Sequence, residues 1–424
     1  MAVTFLGTSS GGGPSESRNC SSLVCDMLAD QSLWMVDCAE GTARQFSLQP
    51  HYNRPHVRIN KISKIFITHM HADHIMGIVP LLRNILFPPL SAPRASHQSP
   101  PKTIEIYGPA GLRLFVRQVM KMTLTRTSDT YVVHELLTTE DSITPCDLPP
   151  ASDKALSNMH TLQSNILHPS EIAGLDIRAS PDGFWRAITQ GKGVKSPIIV
   201  DAGAILHRDP CIGYTFTEVK HPSRKLVILG DTYDPSPLIP LCVNPSPSLL
   251  VHEATDSCIS RHADSMGKLS RRSAKEVHDK ALGKGHSIPE MAGEFAKLIG
   301  ARDLVLNHIG GRFPAPRNPQ DYDRLKIMQD IEQRASVAWG SGKNATAAWD
   351  FFRVYIPYHP RQDTANSGSG FENVGRAPSH DDETGRPQPP SSHNPSTDAN
   401  RPDKRQSRQT DVSHSNTNQK RRKR

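Results

Sequence analysis

No stretch of the chain approaches the roughly 20 consecutive apolar residues that a membrane-spanning helix requires. The opening MAVTFLGTSS contains no charged segment followed by an apolar one, so we expect no secretory leader. The seven cysteines are odd in number and irregularly spaced, unlike the framework of a small disulfide-rich domain. These absences predict a soluble, intracellular protein whose cysteines stay reduced and pack as small apolar residues.

Apolar residues are also scarce, because only 36% of the 424 residues are hydrophobic. The shortage is concentrated after about Pro357, where Ser, Pro, Asn, Asp and Arg predominate. Such a stretch cannot bury enough apolar surface to offset the entropy of ordering, so residues 359–424 are predicted to form a disordered basic tail. Residues 1–358 are predicted to form the single folded domain.

Negative charge is in the minority: the formal net charge is +8, which favours acidic partners such as nucleic acid. A good part of the excess lies in the tail, which ends KRQSRQTDVSHSNTNQKRRKR. Two basic clusters across a polar spacer are compatible with a nuclear-import signal, with nonspecific nucleic-acid contact, or with a solvated run of charge. We therefore expect the nucleus, the cytoplasm or both as the location.

Short β-rich runs alternate with helical patterns and are separated by Gly and Pro. Examples are VTFLGT, SLWMVDC, KISKIFITH, KLVILGD, SLLVHEA and DLVLNHI, each of which ends in polar residues. The alternation predicts a layered α/β protein, with its site where the strands end. The Pro- and Ser-rich stretch 88–102 and the stretch 144–170 are predicted to be loop insertions with little core of their own.

The segment THMHADHIMG, residues 68–77, carries the most specific chemical signal. His69 and His71 are two residues apart, so in an extended segment both side chains point to one side. Asp73 and His74 follow in the turn towards a helix and can face the same space. Imidazoles packed this closely need partners for their ring nitrogens, and a divalent metal supplies them. Imidazole with carboxylate suits zinc.

THMHADH resembles the HxHxDH signature of the metallo-β-lactamase superfamily, whose fold is an αββα sandwich that binds one or two metals. Further motifs resemble the tRNase Z branch of that superfamily, the zinc endonucleases that remove 3′ trailers from precursor tRNA. These are FLGTSSGGGPSESRNCSSL, VDCAEGTARQ, VILGDTYDPSPL, LLVHEAT and GHSIPEMAGEFAKLIGARDLVLNHIGGRF. The chain departs from the branch at Ala43, where Gln is usual, and at Gly310 and Gly311, which replace a Ser-containing turn that binds phosphate.

The resemblance implies two zinc ions, each held by a separate set of side chains. One set comprises His69, His71 and His207, and the other comprises Asp73, His74 and His308. Asp231 would bridge the two ions, and Asp37 would orient a metal-binding histidine. His160, His168 and His221 are interpreted as surface histidines because none of them ends a strand.

The resemblance also implies the catalytic groups. Asp73 would handle the proton of the attacking water, and His252, oriented by Glu253, would protonate the leaving oxygen. His252 could instead be a packed residue at a strand end. His286 would contact substrate phosphate, unless its segment only caps a helix through Ser287.

In tRNase Z a flexible arm between the histidine motif and GDT grips the tRNA elbow. Here only GYTFTEVKHPSRKLVIL lies between His207 and Gly230, so the arm is predicted to be absent from that place. Arg186, Lys192 and Lys195 are one candidate for a substitute grip on the tRNA far from the cut, and the basic tail is another.

Three functions are compatible with these residues. The first is a precursor-tRNA endoribonuclease, with a homodimer as the expected assembly. The second is a phosphodiesterase of the same fold that acts on small or cyclic nucleotides. The third is a non-catalytic RNA-binding protein, against which the intact set of ligand residues argues.

Overall fold

The strands form two mixed sheets that face each other. The computed structural model describes residues 1–51, 54–86, 102–146 and 158–358. The predicted tail and all but Lys102 of the predicted insertion at 88–102 lie outside these ranges. No helix in the described ranges has the length and apolar character needed to span a bilayer.

The first sheet contains β1 (Ala2–Gly7), β3 (Ser22–Asp26), β4 (Leu33–Val36), β5 (Ile62–Phe66), β6 (Thr103–Pro109), β7 (Thr130–Leu137), β8 (Glu171–Ile172), β9 (Asp176–Arg178) and β18 (Arg353–Tyr355). The second contains β10 (Phe184–Lys192), β11 (Pro197–Ile205), β12 (Cys211–Glu218), β13 (Lys225–Leu229), β14 (Leu249–Glu253), β15 (Asp303–Asn307) and β17 (Thr346–Ala347). A short third sheet pairs β2 (Ser9–Ser10) with β16 (Ile309–Gly310).

Each sheet is antiparallel on one side and parallel on the other. In the first sheet β1, β3 and β4 alternate in direction, and β4 to β7 then run parallel. In the second sheet β10 to β13 alternate, and β13 to β15 run parallel. The carboxyl ends of the parallel strands therefore lie together at one edge of each sheet.

Helices cover the outer face of both sheets. On the first sheet lie α1 (Thr42–Leu48), α2 (Ala72–Ile75), α3 (Ile78–Leu86) and α4 (Leu112–Met122). On the second lie α5 (Ile239–Cys242), α7 (Pro289–Leu298) and α8 (Tyr322–Trp339). Helix α6 (Ala274–Leu282) lies between β14 and α7 in the chain. The four layers confirm the predicted αββα sandwich.

Strand periodicity assigns each side chain to a layer. In β4, Trp34 and Val36 pack in the core between the sheets, whereas Leu33 and Met35 pack under the helices. Phe66 at the end of β5 is fully buried and has its ring 5.6 Å from that of Trp34. Both faces of these strands are buried, which is why they read as almost continuous apolar runs.

A tight hairpin joins β12 to β13 through residues 219–224. The strands pair in antiparallel register from Gly213 opposite Leu229 to Thr217 opposite Lys225. No further segment is inserted there, so the predicted absence of an arm at this place is confirmed.

The described parts of the second predicted insertion, 144–146 and 158–170, are anchored by α4. Arg117 donates to both carboxylate oxygens of Glu171 and to the main-chain oxygens of Pro145 and Ser164. Arg117 and Glu171 are both buried. Lys121 adds a bond to the main-chain oxygen of Gln163. Ionic and polar contacts therefore hold a segment that has few apolar residues.

The interpretation of His168 as a surface residue is wrong, because it lies 1% exposed in this segment. Its Nε2 is 2.9 Å from the main-chain oxygen of Thr125, and its Nδ1 accepts from the amide of Ser170. Burial lowers the pKa of His168 to about 4. His160 and His221 are exposed, as predicted.

Glu171→Gln should destabilise the protein strongly, because it leaves the guanidinium of Arg117 buried without its counter-charge. Losing one partner of a buried pair costs about 3–5 kcal/mol. Urea unfolding followed by circular dichroism measures the loss in free energy of unfolding.

Asp182→Asn is the matched control, since Asp182 makes an exposed ion pair with Arg186 at 2.6 Å. An exposed pair contributes at most about 1 kcal/mol. Equal losses in the two variants would contradict the anchoring role of Glu171.

Candidate metal centre

The functional side chains gather where strands from both sheets end. The segment 67–74 follows β5, and Asp37 follows β4. From the second sheet, His207 follows β11, Asp231 follows β13 and His308 follows β15. Asp37 and His308 have left-handed backbones, with φ of 56° and 52°. Such strained residues persist where the surrounding structure requires them.

A close backbone contact fixes the turn that carries the histidine cluster. The amide of Cys38 donates to the main-chain oxygen of His74, and the amide of Gly77 donates to that of Cys38. A Cβ at Gly77 would lie 1.9 Å from the main-chain oxygen of Ala39, so only glycine fits. The cluster is thereby held against the end of β4.

The first ligand group contains His69, His71, His207 and Asp231, whose ligand atoms all lie within 4.8 Å of one another. The Nε2 of His69 is 2.9 Å from the Nδ1 of His71 and 3.6 Å from an oxygen of Asp231. The two ring nitrogens of His69 and His71 are close enough to bind the same cation.

The second ligand group contains Asp73, His74 and His308, again within 4.8 Å. One carboxylate oxygen of Asp231 lies 3.5 Å from the Nε2 of His74 and 3.3 Å from the Nδ1 of His308. The other oxygen of Asp231 faces His69. Asp231 therefore stands between the groups, and the structure brings together all seven predicted ligands.

Polar neighbours hold the histidine rings in place. An Asp37 oxygen is 2.7 Å from the Nδ1 of His74, and Asp37 also accepts from the amide and hydroxyl of Thr68. On the opposite side of the cluster, an Asp209 oxygen is 2.8 Å from the Nε2 of His71. The hydroxyl of Thr255 is 2.9 Å from the Nδ1 of His308. These contacts leave the other nitrogen of each ring to face its group.

Sequence reasoning missed the roles of Asp209 and Thr255. Asp209 lies two residues after His207, and Thr255 is the last residue of HEAT. Their positions within motifs were visible, but nothing in the sequence showed which ring each of them faces.

The electrostatics of the centre favour a bound cation. Burial alone would raise the pKa of Asp231, but His308, His74 and His69 outweigh it and hold that pKa well below its usual range. Burial would lower the pKa of His74, but Asp231 and Asp37 outweigh it and raise that pKa well above its ordinary value. The carboxylates thus attract positive charge, which a metal ion supplies in place of a proton.

His207 is arranged as a ligand. Its Nδ1 donates to the main-chain oxygen of Gly285 at 2.6 Å, so its Nε2 carries the lone pair. That Nε2 is buried without a hydrogen-bond partner among the described residues. An unpartnered buried nitrogen is costly unless a metal occupies it, so the donor set fits zinc.

The structure contradicts the assignment of His252 as proton donor. Its ring is fully buried and lies on the helix side of β14, 5.9 Å from the ring of Phe295 in α7. Burial lowers the pKa of His252, so the ring is neutral. Side chains alternate across a strand, and this places Glu253 on the side of the metal centre while His252 faces away.

Glu253 instead contacts His286. Its Oε1 is 3.2 Å from the Nδ1 of His286 and accepts from the amide of Thr232 at 2.6 Å. Burial would lower the pKa of His286, but Glu253 and then Asp231 outweigh burial and raise it. His286 therefore lies beside the ligand groups, with a nitrogen within 4.8 Å of ligand atoms of Asp231 and His308.

The basic residues of β10 and its turn stay a prediction as a grip on tRNA far from the cut, and the structure places Lys192 away from the centre. Lys192 pairs with Pro197 at the start of β11, whereas His207 follows the end of that strand. At about 3.3 Å per residue this separates Lys192 from His207 by roughly 30 Å. Lys195 lies over the ring of Tyr358, and Arg186 is paired with Asp182.

Comparisons with known proteins identify the family of the chain. A family model described as anti-Pycsar protein Apyc1 matches residues 1–94. The chain is 32% identical to ribonuclease BN of Proteus mirabilis, over 78% of this chain and 99% of that protein. It is 30% identical to human zinc phosphodiesterase ELAC protein 1, over 84% and 99% of the two chains.

A solved structure, the short form of human tRNase Z, is similar in fold as well as in sequence. It matches with a TM-score of 0.54 at 30% identity, over 84% of this chain and all of that one. The order of the motifs, the αββα sandwich and the position of the centre at the strand ends are all explained by membership of one family. The chain belongs to the ribonuclease Z family of the metallo-β-lactamase superfamily.

Proposed function

We propose that the protein is a zinc-dependent endoribonuclease that removes 3′ trailers from precursor tRNA by hydrolysing one phosphodiester bond. The observation that carries the proposal is the pair of ligand groups with Asp231 between them, at the strand ends of a ribonuclease Z fold. Two ions in such an arrangement would supply Lewis acidity to the phosphodiester and to the attacking water.

The side chains of this protein would bind, orient and move protons. His69, His71 and His207 would hold one ion, and Asp73, His74 and His308 the other. The proposal includes one zinc ion in each of the two ligand groups. Each of the rings of His71, His74 and His308 has a second polar contact, so the ligands are oriented before substrate binds.

Asp73 is suited to orient the attacking water, because its carboxylate stays ionised and can accept a hydrogen bond from that water. Burial would raise its pKa, but the hydrogen bond with His308 and the charge of His74 hold that pKa below the ordinary value. One of its oxygens also accepts from the amide of Gly11 at 3.0 Å. Asp73 is thereby an ionised carboxylate with a fixed orientation.

His286 is suited to donate a proton to the leaving 3′-oxygen. Glu253 orients its ring through Nδ1 and favours the charged form. Glu253 is itself fixed by the amide of Thr232 and by the hydroxyl of Thr255. The proposed donor pair is therefore His286 with Glu253, and His252 has no part in it.

Metal content should depend on the two ligand groups. Purified protein should contain close to two equivalents of zinc by elemental analysis, and His69→Ala with His74→Ala should lose most of it. The reason is that the double substitution removes one ligand from each group.

His160→Ala with His221→Ala is the matched control, because both rings are exposed outside the centre. Full zinc content in the His69/His74 variant, or equal loss in the control, would disprove the assignment.

His286→Ala should slow cleavage of precursor tRNA by about 10²–10⁴-fold, the usual contribution of a positioned acid. Hydrolysis of bis(p-nitrophenyl) phosphate should fall less, because nitrophenolate leaves without a proton. His252→Asn should change both rates by the same factor. Steady-state kinetics on the two substrates measure the difference.

Measuring the zinc content of the His286→Ala variant distinguishes a proton donor from a zinc ligand. If His286→Ala loses zinc, or lowers both rates equally, then His286 is not the donor.

The absent arm favours one alternative, a phosphodiesterase that acts on small or cyclic nucleotides. Such a substrate needs no contact far from the bond that is cleaved. Incubation of zinc-loaded protein with a precursor tRNA and with cyclic nucleotides in parallel distinguishes the two functions. Turnover of the cyclic nucleotides without trailer removal would replace the proposal.

The homodimer and the nuclear import of the protein stay predictions. The basic tail, residues 359–424, is proposed to be dispensable for hydrolysis. A chain that ends at Arg361, fused to a fluorescent reporter, tests whether the tail directs import.

A further inference from the structure

A cleft of about 270 Å³ opens beside the metal centre. It lies between α6 and the turn that follows β16. His286 and Thr255 line the cleft and also belong to the centre, since the hydroxyl of Thr255 is 2.9 Å from the Nδ1 of His308. A substrate bound at the ligand groups can therefore extend directly into this cleft.

The cleft is positively charged. Lys280, Lys284 and Arg312 line it, are exposed, and form no ion pair or side-chain hydrogen bond with any residue in the described ranges. Asp256, also in the lining, is neutralised by Arg272, which donates to its two oxygens at 2.6 and 2.8 Å. Three unpaired cations next to the metal centre can bind a second phosphate of a substrate whose scissile phosphate lies at that centre.

The lysines are fixed relative to the centre by the loop after α6. The amides of Lys284 and His286 both donate to the main-chain oxygen of Ala281, at 3.1 and 2.9 Å. The main-chain oxygen of Gly285 accepts from the Nδ1 of His207 at 2.6 Å. One loop thus carries a lysine of the cleft, the proposed proton donor and the support of a ligand.

Two glycines that follow His308 line the cleft. A Cβ at Gly310 would lie 2.5 Å from the main-chain oxygen of Thr255. A Cβ at Gly311 would meet the Cβ of Ser15 at 3.7 Å, which is an ordinary contact. At these two positions the lining of the cleft therefore lacks the hydroxyl of the family's Ser-containing turn.

We propose that Lys280, Lys284 and Arg312 form a subsite for the phosphate next to the scissile one, on the side of the leaving 3′-oxygen. This inference rests on the proposed phosphodiesterase function. The side follows from His286, which lines the cleft and must stand next to the oxygen that it protonates. The nucleotide that carries this 3′-oxygen then lies across the cleft, with its own 5′-phosphate between the lysines.

Adenosine 3′,5′-bisphosphate and adenosine 3′-phosphate test the subsite directly, because they differ only in the second phosphate. Calorimetric titration of zinc-loaded protein should give a dissociation constant about tenfold lower for the bisphosphate, the size expected of two exposed charge contacts. Lys280→Ala with Lys284→Ala should abolish this ratio. Binding of the monophosphate to the same variant reports on the intact centre.

Lys192→Ala with Lys195→Ala is the matched control, since it removes the same charge at the opposite end of the sheet and should keep the ratio. The subsite is disproved if wild-type protein shows no preference for the bisphosphate. It is also disproved if the preference survives in the Lys280/Lys284 variant or disappears in the control. Failure to cleave precursor tRNA would overturn the proposed function alone, because the titration requires no turnover.

Discussion

The buried carboxylate of Asp231 is the constraint on which the centre depends. It is 2% exposed and lies among the rings of His69, His74 and His308. An isolated charge in such a place is prohibitively costly, so the surroundings must supply compensating positive charge. Protons can do this in part, but they leave the rings competing for the same carboxylate oxygens. Divalent ions satisfy the rings and the carboxylate together, and so metal binding and the stability of this region are coupled.

The apolar core of the sandwich offsets the cost of gathering so many polar groups in one place. Each sheet contributes only the ends of its strands, and β4, β13 and β14 are buried on both faces. The two sheets are tied to each other close to the centre, where the amide of Ile212 donates to the main-chain oxygen of Thr68. Residues distant in the chain are therefore positioned by two rigid sheets rather than by flexible loops.

The sequence predicted much of this architecture because its signals are local. Alternating strands and helices indicated the layers, and THMHADH indicated the metal. The error at His252 arose because a motif shows which residues occur together but not which face of a strand each occupies. The neighbouring apolar residues hold that information, since Val251 packs between the sheets and His252 must then face the helices. The interpretation of His168 failed for another reason, because burial by a distant helix is a property of the tertiary fold.

The short turn between β12 and β13 has a consequence for recognition. An enzyme with a long arm measures its substrate, because it contacts two points a fixed distance apart and rejects molecules of other shapes. In the described part of this chain, the turn between β12 and β13 offers no second contact point of that kind. The unpaired cations, Lys280, Lys284 and Arg312, line a cleft beside the metal centre. If the cleft carries the recognition, selectivity comes from the few nucleotides that surround the bond to be cut. Such an enzyme distinguishes RNA ends by their local structure, and it would treat an intact tRNA and a fragment with the same acceptor end alike.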